Sequence, residues 1–230
     1  MKRTESNKLG NPQLDSHRIR QAFIIAASFT SVLWIIKMIE SVFGLNLVVY
    51  GVHPGRISGL IGIVFAPLVH GSISHLLANT APLLIIGTAL LYGYPKSARI
   101  VIPAVYLGTG VGVWLFAREV YHIGASGLSF GFMFFVFTAG ALRWDRRAIA
   151  LSMVVFLLYG GMIWGILPNK PGISFESHFF GAMIGLLLAV LLKNLDPYIP
   201  EKRYSWEEEE EAGSDETDSE QEPRNGGNNQ

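Results

Sequence analysis

His122-Ile123-Gly124-Ala125-Ser126-Gly127-Leu128-Ser129-Phe130-Gly131 opens an apolar run that continues through Ala141. A serine between two glycines sits where a helix is expected to start. Glycine lacks a Cβ, so the backbone around it can approach whatever the hydroxyl touches. At a helix N-terminus, unpaired N–H groups and the positive end of the macrodipole favour developing negative charge, as acyl transfer through an oxyanion requires. The plainer reading is that Ser126 caps the helix and the glycines serve helix packing. The run from Ser126 to Leu142 is about 17 residues, at the short end of what can span a bilayer.

Half of the 230 residues are hydrophobic and only 16% are charged, and mean hydropathy is +0.36. This composition points to an all-α polytopic membrane protein. The formal net charge of zero hides a segregation, because ten of the eighteen acids lie between Glu207 and Glu222. The remaining body is net basic. There are no cysteines, which excludes disulfides and thiolate chemistry.

Working outward, residues 1–20 read as a solvated, basic N-terminal tail, and Ala22 to Phe43 as a first span. Lys37 and Glu40, three apart near its end, can pair or snorkel. Gly44 to Pro67 is too broken by glycine and proline to span, yet too apolar for a solvated loop. It reads as an element half sunk in the interface, with its backbone groups satisfied by protein contacts. A second span carries His70, His75 and Asn79 into Thr80 to Tyr92. His75 and Asn79 are four apart and share one helix face, and polar side chains at such depth are functional candidates. A helix–helix hydrogen bond is the alternative. His70 and His75 are five apart without a nearby carboxylate and HExxH is absent, so no metal and no cofactor are expected.

A basic turn, Gly93 to Arg99, precedes a third span from Ile100 to Ala117, with Pro103 expected in its first turn. Arg143, Arg146 and Arg147 form another basic turn before a fifth span, Ala148 to about Leu167. A sixth begins at Ser174-Phe-Glu-Ser-His178-Phe-Phe-Gly181-Ala-Met-Ile-Gly185 and runs to about Leu192. Gly181 and Gly185 form a GxxxG pair facing a matching pair, Gly127 and Gly131, on the fourth span, so close approach there would bring His178 to Ser126. Lys and Arg are concentrated in the tails and in the two basic turns, which places both termini in the cytoplasm and Ser126, His75 and His178 towards the other face.

Taken together, the broken first loop, His70-x4-His75-x3-Asn79, Gly124-Ala-Ser126-Gly127 and His178-x2-Gly181-x3-Gly185 resemble the rhomboid intramembrane serine proteases across about residues 20–195. The resemblance implies a six-helix bundle with a Ser126–His178 catalytic dyad. Asn79, His75 and the Ser126 backbone N–H would surround the oxyanion, and His70 would shape the site's loop, with Gly124, Gly127, Gly181 and Gly185 supporting it. The sequence departs from the family in two places. The Trp-Arg pair of the first loop is missing, with Pro54-Gly55-Arg56 nearby, and Phe130 stands where a tyrosine is common. Phe130 can stack on His178 but cannot donate a hydrogen bond.

No acid is clearly placed as a third catalytic member. Glu176 lies on another helical face from His178, and Glu119 is a weak candidate. Expected partners are membrane-anchored protein substrates and the lipid bilayer of the cell membrane, with no nucleic acid. Residues 196–230 read as an acidic, disordered cytoplasmic tail with too little apolar content to fold, solvated and open to a cytoplasmic partner. Two other classes compete. A small transporter would show inverted repeats, which are not evident. A non-catalytic rhomboid-like client-binding protein would lack Ser126 or His178.

Overall fold

The computed structural model describes residues 12–168 and 174–196. Residues 1–11, residues 169–173 and the acidic segment 197–230 lie outside the described residues. Six principal helices, numbered here in chain order, account for the architecture: α1 (Pro12–Phe43), α2 (Ile73–Gly93), α3 (Pro95–Phe116), α4 (Ser126–Arg143), α5 (Arg146–Tyr159) and α6 (Phe175–Leu191). Among the described residues there are no strands, only an isolated antiparallel bridge between Val52 and His122. Among the described residues, five segments are long and apolar enough to cross a membrane, the last being Arg146–Ile166, where α5 continues as the 3-10 turn Gly160–Ile166. The apolar α6, at 17 residues, is shorter than these five.

The helix carrying the serine is central. In its most apolar stretch α4 is 61% buried, against 11% for Arg146–Ile166 at the periphery. Phe135, Val136 and Ala139 of α4 are enclosed by Leu83, Ile86 and Leu90 of α2, Val101 and Val105 of α3, and Val155 of α5. Outward-facing Ile24, Ile35, Leu157 and Leu187 leave an apolar exterior suited to lipid. The α4–α6 contact is the tightest in the bundle. A Cβ on Gly181 would run into the carbonyl of Gly127, and one on Gly185 into that of Gly131, so the two helices touch backbone to backbone.

The first helix starts earlier than its apolar run, at Pro12 instead of Ala22. The added turns carry exposed polar residues such as Arg18 and Arg20. The turn expected at Gly93 to Arg99 is also mostly helical. Pro95 occupies the first turn of α3, where its missing N–H costs little. The next N–H groups are capped from a distance: the Asp196 carboxylate accepts from Lys96 N at 2.8 Å and Ser97 N at 3.1 Å. Pro103 therefore lies inside α3, not in its first turn. The cap spans 100 residues of sequence, so no local signal announces it.

The broken segment after α1 folds into short helical turns, Leu47–Tyr50, Ile57–Ile61, Gly62–Phe65 and Ala66–Leu68. Its backbone is paired with protein. Trp114 Nε1 donates to Arg56 O at 2.9 Å, Gly55 N donates to Trp114 O at 3.1 Å, and Tyr106 Oη donates to Val64 O at 2.6 Å. Ile57, Leu60, Ile61 and Val64 face outward. An apolar loop with satisfied carbonyls is what the edge of a bilayer tolerates. The Lys37–Glu40 pair holds it from beneath: Lys37 Nζ reaches Glu40 Oε2 at 2.6 Å and the carbonyl of His70 at 2.9 Å, while Glu40 Oε1 accepts from Leu47 N at 3.2 Å. Both charges are buried, so the pair ties α1 to the loop and does not snorkel.

Candidate active site

Ser126 begins α4, but it does not cap the helix. The capping position belongs to Ala125, which has no side-chain cap. Ser126 Oγ instead lies 2.8 Å from His178 Nε2. The α4–α6 glycine contact sets this distance, because His178 is three residues ahead of Gly181 and nearly one turn from the tightest crossing. His178 Nδ1 is 2.8 Å from the carbonyl of Gly165, which follows α5. A carbonyl can only accept, so Nδ1 carries the proton and Nε2 presents its lone pair to the serine. The ring is held flat against Phe130, with centroids 4.1 Å apart and planes within 4°. One hydrogen bond fixes the tautomer and one aromatic face fixes the plane. The pair can therefore act as nucleophile and general base.

Glu176 does not reach this pair. Its carboxylate takes a two-pronged contact from Arg118, with Nε at 2.6 Å and Nη2 at 3.2 Å. Nearby, His122 Nε2 donates to Arg118 O at 3.0 Å and Nδ1 meets the Ser174 hydroxyl at 2.5 Å. His122 also bridges to Val52 through both backbone groups, at 2.9 and 3.0 Å. Burial pulls the His122 pKa below its ordinary value, so the ring stays neutral within this network. These contacts lash the first loop, the α3–α4 loop and the start of α6 together over the site. Neutralising Glu176 should therefore loosen a tether and leave the dyad's chemistry intact. We expect Glu176→Gln to keep the acid limb of any cleavage profile where it is in the unmodified protein, the limb arising from protonation of His178 Nε2. A limb displaced far towards acid by Glu176→Gln, measured as initial rates from about pH 5 to 9, would instead make Glu176 a direct partner of His178.

Asn79 is buried and His75 half-buried, and both open on the cleft of about 1090 Å³ that also holds Ser126, Phe130 and His178. One donor of the Asn79 amide goes back to His75 O at 3.0 Å. An amide has two N–H donors, so one remains for the cleft. Gly124 has φ +103°, and a Cβ there would meet His75 Cε1 at 2.7 Å. Gly127 faces Thr109 and the Ser177 carbonyl, again with no room for a side chain.

His70 is buried, 1% exposed, and does not line the cleft. Its Nε2 accepts from Ala125 N at 3.4 Å, just before the serine. Burial, with the charge of His75 second, pushes the His70 pKa down to about 4, which keeps the ring neutral and able to accept. Three contributors to this arrangement had no sequence signal assigned to them: Gly165, which acts through its carbonyl, and the Arg118 and His122 tether. A carbonyl's role is invisible in sequence because every residue has one.

The sequence matches the family described as Rhomboid domain over residues 57–195. It is also 33% identical over 174 residues to uncharacterized proteins of Mycobacterium tuberculosis and Mycobacterium bovis, covering 72% of each chain. A third similar protein, uncharacterized and from Mycobacterium leprae, is 30% identical over 177 residues, covering 72% of this chain and 69% of the relative.

Proposed function

The chain belongs to the rhomboid family and is an integral membrane protein, and on that premise we propose that it is an intramembrane serine endopeptidase working through Ser126 and His178. The observation that carries the proposal is the 2.8 Å contact between Ser126 Oγ and a His178 whose other nitrogen is already committed to a carbonyl. His178 Nε2 removes the Oγ proton as Oγ bonds to a peptide carbonyl carbon. The resulting oxyanion faces Asn79, His75 and the free N–H groups of the first turn of α4. Nε2 then returns the proton to the leaving amine as the C–N bond breaks, leaving an acyl-enzyme on Ser126. Water, deprotonated by the same nitrogen, releases the acyl group.

Substrates on this reading are membrane-anchored proteins cut in or near a transmembrane segment whose helix can open. Both termini of the protease lie in the cytoplasm of the cell, following the distribution of Lys and Arg. The site opens towards the opposite face. The test is labelling of the reconstituted protein by a serine-directed phosphonate, together with cleavage of a transmembrane substrate. Labelling confined to Ser126 is expected, and absence of labelling in folded protein would favour a non-catalytic client-binding role.

The oxyanion assignment has its own test. Asn79→Ala should lower turnover by about 10²–10³ with little change in apparent substrate affinity, because its free N–H meets the charge chiefly in the transition state. Turnover preserved with weakened affinity would move Asn79 to substrate binding.

A further inference from the structure

At the end of the bundle away from Ser126 lies a second cleft, of about 710 Å³. It opens between α1 and α3, which flank α2 without packing closely on one another. Its walls are apolar and its rim is cationic. Ala22, Ile25 and Ile102 line the walls, and Arg18, Lys96, Arg99 and Arg147 line the rim. Arg18, Lys96 and Arg99 are exposed and make no ion pair with the described residues. Arg147 lies over the Tyr92 ring at 3.7 Å, donates to Tyr92 O at 3.3 Å, and stands 3.8 Å from Asp15, while its buried Nε has no hydrogen-bond partner. Two acids are close by. Asp196 is committed to capping α3 through Lys96 N, Ser97 N and Ser97 Oγ, and Asp15 lies on the Arg147 side. Among the described residues, four cations against two acids leave the rim positive.

We propose that this cleft is a binding site for an anionic phospholipid, its phosphate held by Arg18, Lys96 and Arg99 and an acyl chain laid along the α1–α3 wall. The combination selects the ligand. A soluble anion would use the cations but not the apolar walls, and a neutral lipid would use the walls but leave the cations unpaired. Guanidinium groups at the end of a hydrophobic span lie at headgroup depth, where they suit phosphate geometry. Arg18, Gln21, Ala22 and Ile25 recur at three, four and seven residues, so one face of α1 runs continuously from headgroup to acyl region.

The test is native mass spectrometry of the full-length Ser126→Ala protein, released from nanodiscs of equal phosphatidylglycerol and phosphatidylcholine. Using the inactive serine variant keeps the outcome independent of whether the protein cleaves anything. Phosphatidylglycerol should be retained over phosphatidylcholine, and Arg18→Gln with Arg99→Gln should lower that retention at least about tenfold. Arg18→Lys with Arg99→Lys should restore most of it. Lys193→Gln, an exposed cation outside the cleft, should leave it unchanged. Thermal unfolding of each variant in detergent separates lost binding from lost fold. Equal retention of the two lipids, or an equal loss in Lys193→Gln, overturns the proposal. Full displacement by millimolar inorganic phosphate would make it an anion site without a lipid. If removing residues 197–230 raised retention while the double Gln variant changed nothing, the acidic segment would be the competitor at a different surface, and the lipid assignment of this cleft would fall.

Discussion

Replacing Ser126 or His178 by alanine should each lower cleavage of a reconstituted transmembrane substrate by at least about 10⁴-fold, with the protein still inserted and folded. The two side chains form one unit joined by a 2.8 Å contact, so removing either removes the activated nucleophile, and the double variant should be no worse than the singles. The fold should survive both changes. Ser126 is not the cap of α4, so its hydroxyl supports no helix end, and His178 leaves behind a gap beside Phe130 worth at most a few kcal/mol. Phosphonate labelling gives a second readout. It should vanish in Ser126→Ala because the nucleophile is gone, and fall steeply in His178→Ala because the hydroxyl is no longer activated. Wild-type labelling in His178→Ala would locate the base elsewhere.

Gly181→Val should abolish activity and destabilise the protein together. The new Cβ would meet the backbone of Gly127, and backbone cannot swing aside as the end of a long side chain can. Overpacking of this kind costs about 1–3 kcal/mol, occasionally more. The helices must part, and the same parting draws His178 away from Ser126, where a displacement of about 1 Å is worth about 10² in rate. Gly112→Ala provides the contrast. Its Cβ would meet the Phe180 ring, a side chain on the half of α6 that does not face α4, so a smaller loss of both stability and rate is expected. Melting temperature in detergent and initial cleavage rate, measured on the same preparations, check both variants. Full activity in Gly181→Val would mean that the α4–α6 contact does not set the dyad distance.

The sequence by itself determined that the chain is a bundle of apolar helices and where most of them lie, since hydropathy and length act locally and need no partner. It also paired the correct helices. Glycines at matching spacing on two apolar spans let their backbones approach closely, and the backbone contacts at Gly181 and Gly185 follow that pairing. The boundaries at Pro12 and Pro95 were not legible. The first is a polar extension without an apolar signal, and the second depends on Asp196, a cap supplied from 100 residues along the chain.

Within the site, sequence could place Ser126 and His178 at the same depth but could not choose between a dyad and a triad, because Glu176 and Glu119 were both near enough in the chain to compete. Tertiary structure turns Glu176 to Arg118 and sets the Gly165 carbonyl at His178 Nδ1. The physical reason is common to all these cases. Hydropathy is a property of each residue, whereas a hydrogen bond to a backbone carbonyl or a buried ion pair exists only between positions that folding brings together, and the identity of one partner says little about the other.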